Sequence, residues 1–132
     1  MEKFIEFRKE EIDQSIPARF EDQVRKHSRR LAIKTSKHAL TYDELNKAAN
    51  RLAHAILARR GERQEQLAIL CHQGAGAIIA TLAVLKAGKT YVPLDPMVPH
   101  TRNKFILGDA QVGFIIADAE TISLAGELAK NN

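Results

Sequence analysis

A single cysteine, Cys71, stands among 132 residues, and tryptophan is absent. A lone cysteine cannot close an intramolecular disulfide, so a small secreted scaffold held by cross-links is excluded. Long apolar runs are missing as well. The longest, residues 75 to 85, falls far short of the roughly 20 residues that a bilayer-spanning helix needs. No signal peptide is present in the opening MEKFIEFRKEEIDQ, which mixes charges of both signs around scattered apolar residues. The expected compartment is therefore the cytoplasm. The charge imbalance is small: the net charge is +4, and its densest source is Arg25 to His38, with Lys26, Arg29, Arg30, Lys34 and Lys37 and no acid. No aromatic residues interleave there and no nucleic-acid motif surrounds it, so this stretch reads as a solvated face, with no nucleic-acid partner. Five scattered histidines show no metal-ligand spacing, and no metal site is expected.

What is present is an alternation of strand and helix signals in a chain of single-domain length. Residues 1 to 14 read as an arm or linker, or a frayed helix. Ser15 can cap a helix in which Pro17 fits the first turn, with Phe20 and Val24 as an apolar pair one turn apart. Residues 31 to 35 and the stub before Leu40 are short strands joined by the polar turn Ser36-Lys37-His38. Thr41-Tyr-Asp-Glu44 is a capping box, in which hydroxyl and carboxylate each satisfy the other residue's backbone amide. Leu45, Ala48, Ala49, Leu52 and Ile56 then recur at helical spacing, Gly61 supplies the stop, and His54 lies opposite the stripe.

Residues 67 to 71, LAILC, form a continuous apolar run of the kind buried on both faces of a parallel sheet. A helix over 75–87 ends at Gly88. A strand follows at 90–94, with Pro93 placing it near an edge or strand end. A helix starts at Pro99, a second buried-type strand covers 113–118, and a weak helix begins near Glu120. This order predicts an α/β fold, a mostly parallel sheet with flanking helices and right-handed crossovers.

Four features invite a chemical reading. Gly74 and Gly76 match the first two glycines of a dinucleotide fingerprint, and Asp95 lies at the distance of its ribose acid. The third glycine position is Ile79, whose branched side chain should hold the helix off the strand; the glycines serve equally as a strand-to-helix bend without a ligand. Cys71 reads as a small buried thiol, because adjacent His72 is poorly placed as its base if the two alternate across a strand. Lys86 sits at a helix end, where a cation complements the dipole, and reads as structural.

Two segments are specific together. Leu40-Thr-Tyr-Asp-Glu-Leu45, continued by Asn46 and Ala49-Asn50-Arg51-Leu52-Ala53, resembles the first core motif of the amino-acid adenylation domains of nonribosomal peptide synthetases. Leu85-Lys-Ala-Gly-Lys-Thr-Tyr-Val-Pro-Leu-Asp95-Pro96 resembles their second. Phe20-Glu-Asp-Gln-Val24 is similar to the family's opening helix and GDAQVGFII to the strand region after the second motif, so the resemblance runs over residues 16 to 118 in order. The Tyr-Val-Pro-Leu-Asp form favours the peptide-synthetase branch over fatty acyl-CoA ligases. Ser28-Arg29-Arg30 departs from the family's frequent Pro-Asp pair, and Gly74-Ala-Gly76 from a more polar helix start.

The resemblance implies the N-terminal part of an adenylate-forming enzyme's large lobe, with residues 15–132 as an incomplete adenylation domain behind the arm. Complete family enzymes use Mg-ATP to form an acyl-adenylate and pass it to a carrier-protein phosphopantetheine. Their phosphate loop, ribose-contacting acid and catalytic lysine belong to later motifs, which this sequence does not contain. No catalytic, cofactor-binding or metal residue is therefore expected, and the chain alone should be inactive. Expected partners are the remainder of the adenylation domain and neighbouring synthetase domains. A second reading is a stand-alone interaction module on the same scaffold; the remote one is a dinucleotide-binding βαβ unit. The helix over 75–85, apolar all round but for Thr81, together with open sheet edges, predicts self-association of the isolated chain.

Overall fold

The computed structural model describes residues 4–130. A 3₁₀ turn at Lys9–Asp13 precedes α1 (Ile16–His27), β1 (Leu31–Lys34), β2 (Ala39–Thr41), α2 (Tyr42–Arg60), β3 (Gln66–Leu70), α3 (Ala75–Lys86), β4 (Thr90–Pro93), α4 (His100–Asp109), β5 (Phe114–Ala117) and α5 (Ile122–Ala129). The fold is α/β. A parallel three-stranded sheet has the order β4-β3-β5, and β1 and β2 form a separate antiparallel hairpin.

The local stop and start signals act as their chemistry dictates. The Ser15 hydroxyl accepts from the Ala18 amide at 3.2 Å, starting α1 with Pro17 in its first turn. Thr41 and Glu44 form the reciprocal pair: the Glu44 amide donates to Thr41 Oγ1 at 3.2 Å and the Thr41 amide to Glu44 Oε1 at 3.1 Å. Gly88 ends α3 in the left-handed region (φ 75°), and the Lys89 amide reaches back to the Val84 carbonyl at 3.1 Å. The turn from helix to strand in the second motif is thus a helix cap. Pro93 closes β4, which is an edge strand.

β3 is the centre of the molecule. Leu67, Ala68 and Leu70 are fully buried, because one face of the strand packs under α2 and α3 and the other under α4 and α5. Removing a leucine side chain of this kind from water contributes roughly 1.5–3 kcal/mol. Ala80, Ala83 and Val84 of α3 meet Leu67 and Ile69, together with Ala53 and Ile56 of α2. A third cluster joins Ile33 of the hairpin to Leu45 and Ala49 of α2 and Ala75 and Leu82 of α3.

Three expectations change in detail. The fully buried residues of α2 are Leu45, Ala49, Ala53 and Ile56, with Leu52 packed half-buried against the same core, so Ala53 joins the stripe and Ala48 falls at its margin. The cause is that α2 packs against α3, α1 and the hairpin together rather than against one surface. β5 is half-buried along its whole length, because it lies at the sheet edge rather than inside it. Ile79 belongs to the cluster facing the hairpin and α2, not to the one facing β3. Its side chain therefore does not separate helix from strand, and small Ala80 and Ala83 make that close contact instead.

Candidate functional site

In open parallel sheets, ligand crevices form at the carboxyl ends of strands where neighbouring connections leave toward opposite faces. β3 meets this condition on both sides. Its connection enters α3 on one face, whereas β4 and β5 lead into α4 and α5 on the other. Two depressions result. One, of about 640 Å³, lies between the ends of β3 and β4 and is lined by Cys71, His72, Thr81, Leu94, Asp95 and Met97 among others. The other, of about 350 Å³, lies toward β5 and the hairpin turn and includes Lys37, His38, Gln73, Gly74, Asp118 and Glu120.

The residues weighed from sequence are thus partly gathered. Cys71, His72 and Asp95 share one wall, while Gly74 and Gly76 border the second depression. Lys86 is elsewhere, at the far end of α3. Cys71 is half-buried; burial pushes its thiol pKa up and the nearby Asp118 carboxylate adds to the effect. A protonated thiol is a poor nucleophile. His72 is engaged with the loop after β5: its amide donates to Asp118 Oδ2 at 3.3 Å and its Nε2 lies 3.5 Å from Glu120 Oε2. Asp95 shapes its own turn, accepting from the Met97 amide at 2.8 Å, while its carbonyl accepts from Asn103 Nδ2 at 2.9 Å. Gly74 takes φ 153° and ψ −164°, a conformation that an L side chain resists, so its role is the bend into α3.

The cations of the second motif are committed to the fold. Lys86 Nζ lies 2.6 Å from Glu21 Oε1 and over the Phe20 ring at 5.7 Å, with its side chain only 6% exposed. That pair ties α3 to α1. Lys89 has no side-chain exposure; its Nζ donates to the Arg63 carbonyl at 2.6 Å and lies 3.4 Å from Glu65 Oε1. Glu65 also receives two bonds from the Arg60 guanidinium, at 3.0 and 2.7 Å, and Arg60 stacks over Phe114. The Arg60 bond first, and Lys89 less, hold the Glu65 carboxyl below the usual glutamate range. This cluster fastens the ends of α2, β3, β4 and β5 together.

Sequence reasoning missed that cluster: Arg60, Arg63 and Glu65 are neighbours in sequence, but Lys89 and Phe114 reach them only through the fold. It also missed Thr121, whose buried hydroxyl donates to the Leu70 carbonyl at 2.5 Å while accepting from the Asp118 amide at 3.0 Å. A signal existed there: Asp118-Ala-Glu-Thr121 places two capping residues three apart before α5. Among the described residues, no group of three His, Cys, Asp or Glu side chains could hold a metal ion, and no helix is long and apolar enough to cross a membrane.

The sequence pattern of AMP-binding enzymes matches residues 20–132, from α1 through α5. This chain belongs to that family. Within the AMP-binding enzymes it is similar to peptide synthetases. It is 39% identical over 112 residues to phosphinothricin tripeptide synthetase PhsC of Streptomyces viridochromogenes, covering 85% of this chain and 10% of PhsC. Against malpinin synthetase of Mortierella alpina the identity is 38% over 111 residues, covering 83% of this chain and 1% of that one. Tyrocidine synthase 3 of Brevibacillus parabrevis is 33% identical over 118 residues, 89% of this chain and 2% of its own length. The chain thus spans one-tenth or less of each of these relatives. Among solved structures, the N-terminal subdomain of Klebsiella oxytoca NpsA superposes with a TM-score of 0.75 at 23% identity, over 80% of this chain and 28% of that one, which supports the fold. The nonribosomal peptide synthetase FmoA3 in its AMPPNP-bound form gives 0.77 at 26% identity, over 82% of this chain and 12% of FmoA3. This chain therefore corresponds to the N-terminal part of an adenylation domain of the peptide-synthetase type.

Proposed function

We propose that this chain is the opening structural layer of an amino-acid-activating domain and carries none of that domain's chemistry. The carrying observation is that the capping pair of the first family motif and the lysines and aspartate of the second are engaged in holding the fold. Thr41 and Glu44 cap α2, Lys86 and Lys89 are buried in ion pairs, and Asp95 and Asn103 brace a turn. Adenylate formation needs cations and oriented donors around a reacting phosphate. The donor set here does not fit a magnesium nucleotide: the second motif's two lysines face carboxylates of this chain, and its aspartate accepts a backbone amide. The partners of this layer are the remaining parts of an adenylation domain and adjacent synthetase domains, in the cytoplasm.

The same reading includes self-association of the chain by itself. The apolar helix α3 is covered by the chain's own α1, α2 and sheet, with Ile78 the large residue left 43% exposed. Both sheet edges and several large apolar side chains, among them Phe105 and Ile122, remain open. Calorimetric titration with magnesium-ATP tests the first half of the proposal. No saturable heat at micromolar to millimolar nucleotide is expected. Saturable binding abolished by substituting His72 or Lys37 would overturn it.

A further inference from the structure

The connections within the parallel sheet fix where a further strand would join it. A crossover between parallel strands is right-handed in about 98% of cases. α3 lies on one face of the sheet and carries the chain from β3 to β4, whereas α4 lies on the other face and carries it back across β3 to β5. Opposite faces thus go with opposite directions of travel, as crossovers of one hand require. α5 lies on the same face as α4, with Leu107 of α4 and Ala125 and Leu128 of α5 in one cluster. A right-handed crossover through α5 therefore continues in the direction from β4 to β5. Its landing place is the open edge of β5.

The way out of α5 agrees with that direction. Ala129, the last residue of α5, and Gly113, just before β5, line one groove of about 620 Å³ in which no lining residue is charged. A strand that begins beside this groove starts level with β5 and runs parallel to it. The two sheet edges also differ in what they offer. On β4, Thr90 donates its amide inward to Glu65 and Leu94 to Ile69, so by alternation Tyr91 and Pro93 face outward. Pro93 has no N–H, which blunts that edge. On β5, Gly113 donates inward to Gln66, so Phe114 and Ile116 turn both N–H and C=O outward.

We propose that the β5 edge receives the next strand of the adenylation domain, in direct succession to α5 and parallel to β5. This deepens the reading of the chain as an opening layer by assigning the edge and the direction at which the remainder joins. Polypeptide for such a strand exists in the relatives, of which this chain spans one-tenth or less. The strand's main chain bonds the outward groups of Phe114 and Ile116. Its connection from α5 fills the uncharged groove and is apolar where it meets Leu107, Val112 and Leu128.

The test grafts onto the end of the chain the roughly thirty residues that follow the matched region of PhsC, enough for a connection and a strand of ordinary length. Amide hydrogen exchange is compared with and without the graft, at micromolar and hundred-micromolar protein, and circular dichroism confirms that each protein is folded. The Phe114 and Ile116 amides are expected to exchange about tenfold more slowly with the graft, as amides entering a ladder do. The slowing should be equal at both concentrations, and Tyr91 should be unchanged. Ile116→Pro, which removes one outward N–H as Pro93 does on β4, should cancel the slowing at Phe114, while Tyr91→Pro should preserve it. Slowing at Tyr91 instead, slowing at neither edge, or slowing that grows with concentration would overturn the assignment. So would the short Hα–Hα contacts of an antiparallel pair between graft and β5. None of these results bears on the scaffold reading, which the magnesium-ATP titration tests separately.

Discussion

Changing Glu65 to glutamine removes one charge from the cluster that fastens the sheet, with almost no change in shape. Glu65 accepts both guanidinium bonds from Arg60 and lies 3.4 Å from the Lys89 ammonium, which has no exposure at all. In Glu65→Gln that ammonium keeps the Arg63 carbonyl and loses the negative charge that neutralises it. Breaking a buried ion pair by removing one partner costs roughly 3–5 kcal/mol. The Glu65 side chain retains 12% exposure and Lys89 retains one bond, so about 3 kcal/mol, the low end, is expected. Lys89→Met should cost far less, within about 1 kcal/mol, since it removes the charge together with its desolvation penalty. The sign of the pH effect follows from the lowered Glu65 carboxyl. A depressed folded pKa gives stability that is present above the unfolded value, near about 4.3, and lost as pH falls through the folded one. The gap between the unaltered chain and Glu65→Gln should therefore be constant from about pH 5 to 7 and shrink below about pH 4.3. Urea denaturation read by circular dichroism at several pH values measures it. Equal midpoints for Glu65→Gln and Lys89→Met, or a gap that grows toward low pH, would refute the reasoning.

Thr41→Ala loses one end of the capping box and should cost about 1 kcal/mol, with Thr41→Ser nearly neutral; coincident denaturant midpoints for all three proteins would show that Thr41 is not the cap. Gly113→Ala brings a Cβ to 2.8 Å from Arg60 Nη2 and 3.1 Å from Glu65 Oε2, and overpacking against this pinned pair should cost roughly 1–3 kcal/mol in thermal unfolding. An unchanged Tm would show that Arg60 is free to swing away. Cys71, its thiol pKa raised by burial and by Asp118, should react with an aromatic disulfide more slowly than free cysteine at mildly alkaline pH. Asp118→Asn should speed it modestly, and a native rate equal to that of the denatured chain would contradict this environment.

Local chemistry is legible in the sequence wherever a few adjacent residues decide the outcome. The Ser15 cap, the Thr41–Glu44 box, the Gly88 stop and the Pro93 edge each depend on residues within one turn, and each stands where its sequence signal lies. The direction in which a side chain faces is less legible when an element is apolar all round. α3 offers no polar face to orient it, so its sequence sets Ile79 against β3, whereas the side chain faces the hairpin and α2. Partners distant in sequence are not legible at all. Lys86 reads as a dipole complement, but its neighbour is Glu21, 65 residues away. Lys89 carries no sign that it would be buried, since its cover comes from the end of α2 and the loop before β3. For the candidate site, the family motifs identify the scaffold, while the engagement of their polar groups becomes visible only with the fold.

The central claim is that this layer is scaffold and not catalyst, and amino-acid-dependent exchange of pyrophosphate into ATP tests it most directly. The purified chain, offered each proteinogenic amino acid with magnesium-ATP, is predicted to give the rate of a protein-free control. Exchange above that control, dependent on one amino acid and abolished by a substitution at Lys86, Asp95 or His72, would contradict the account.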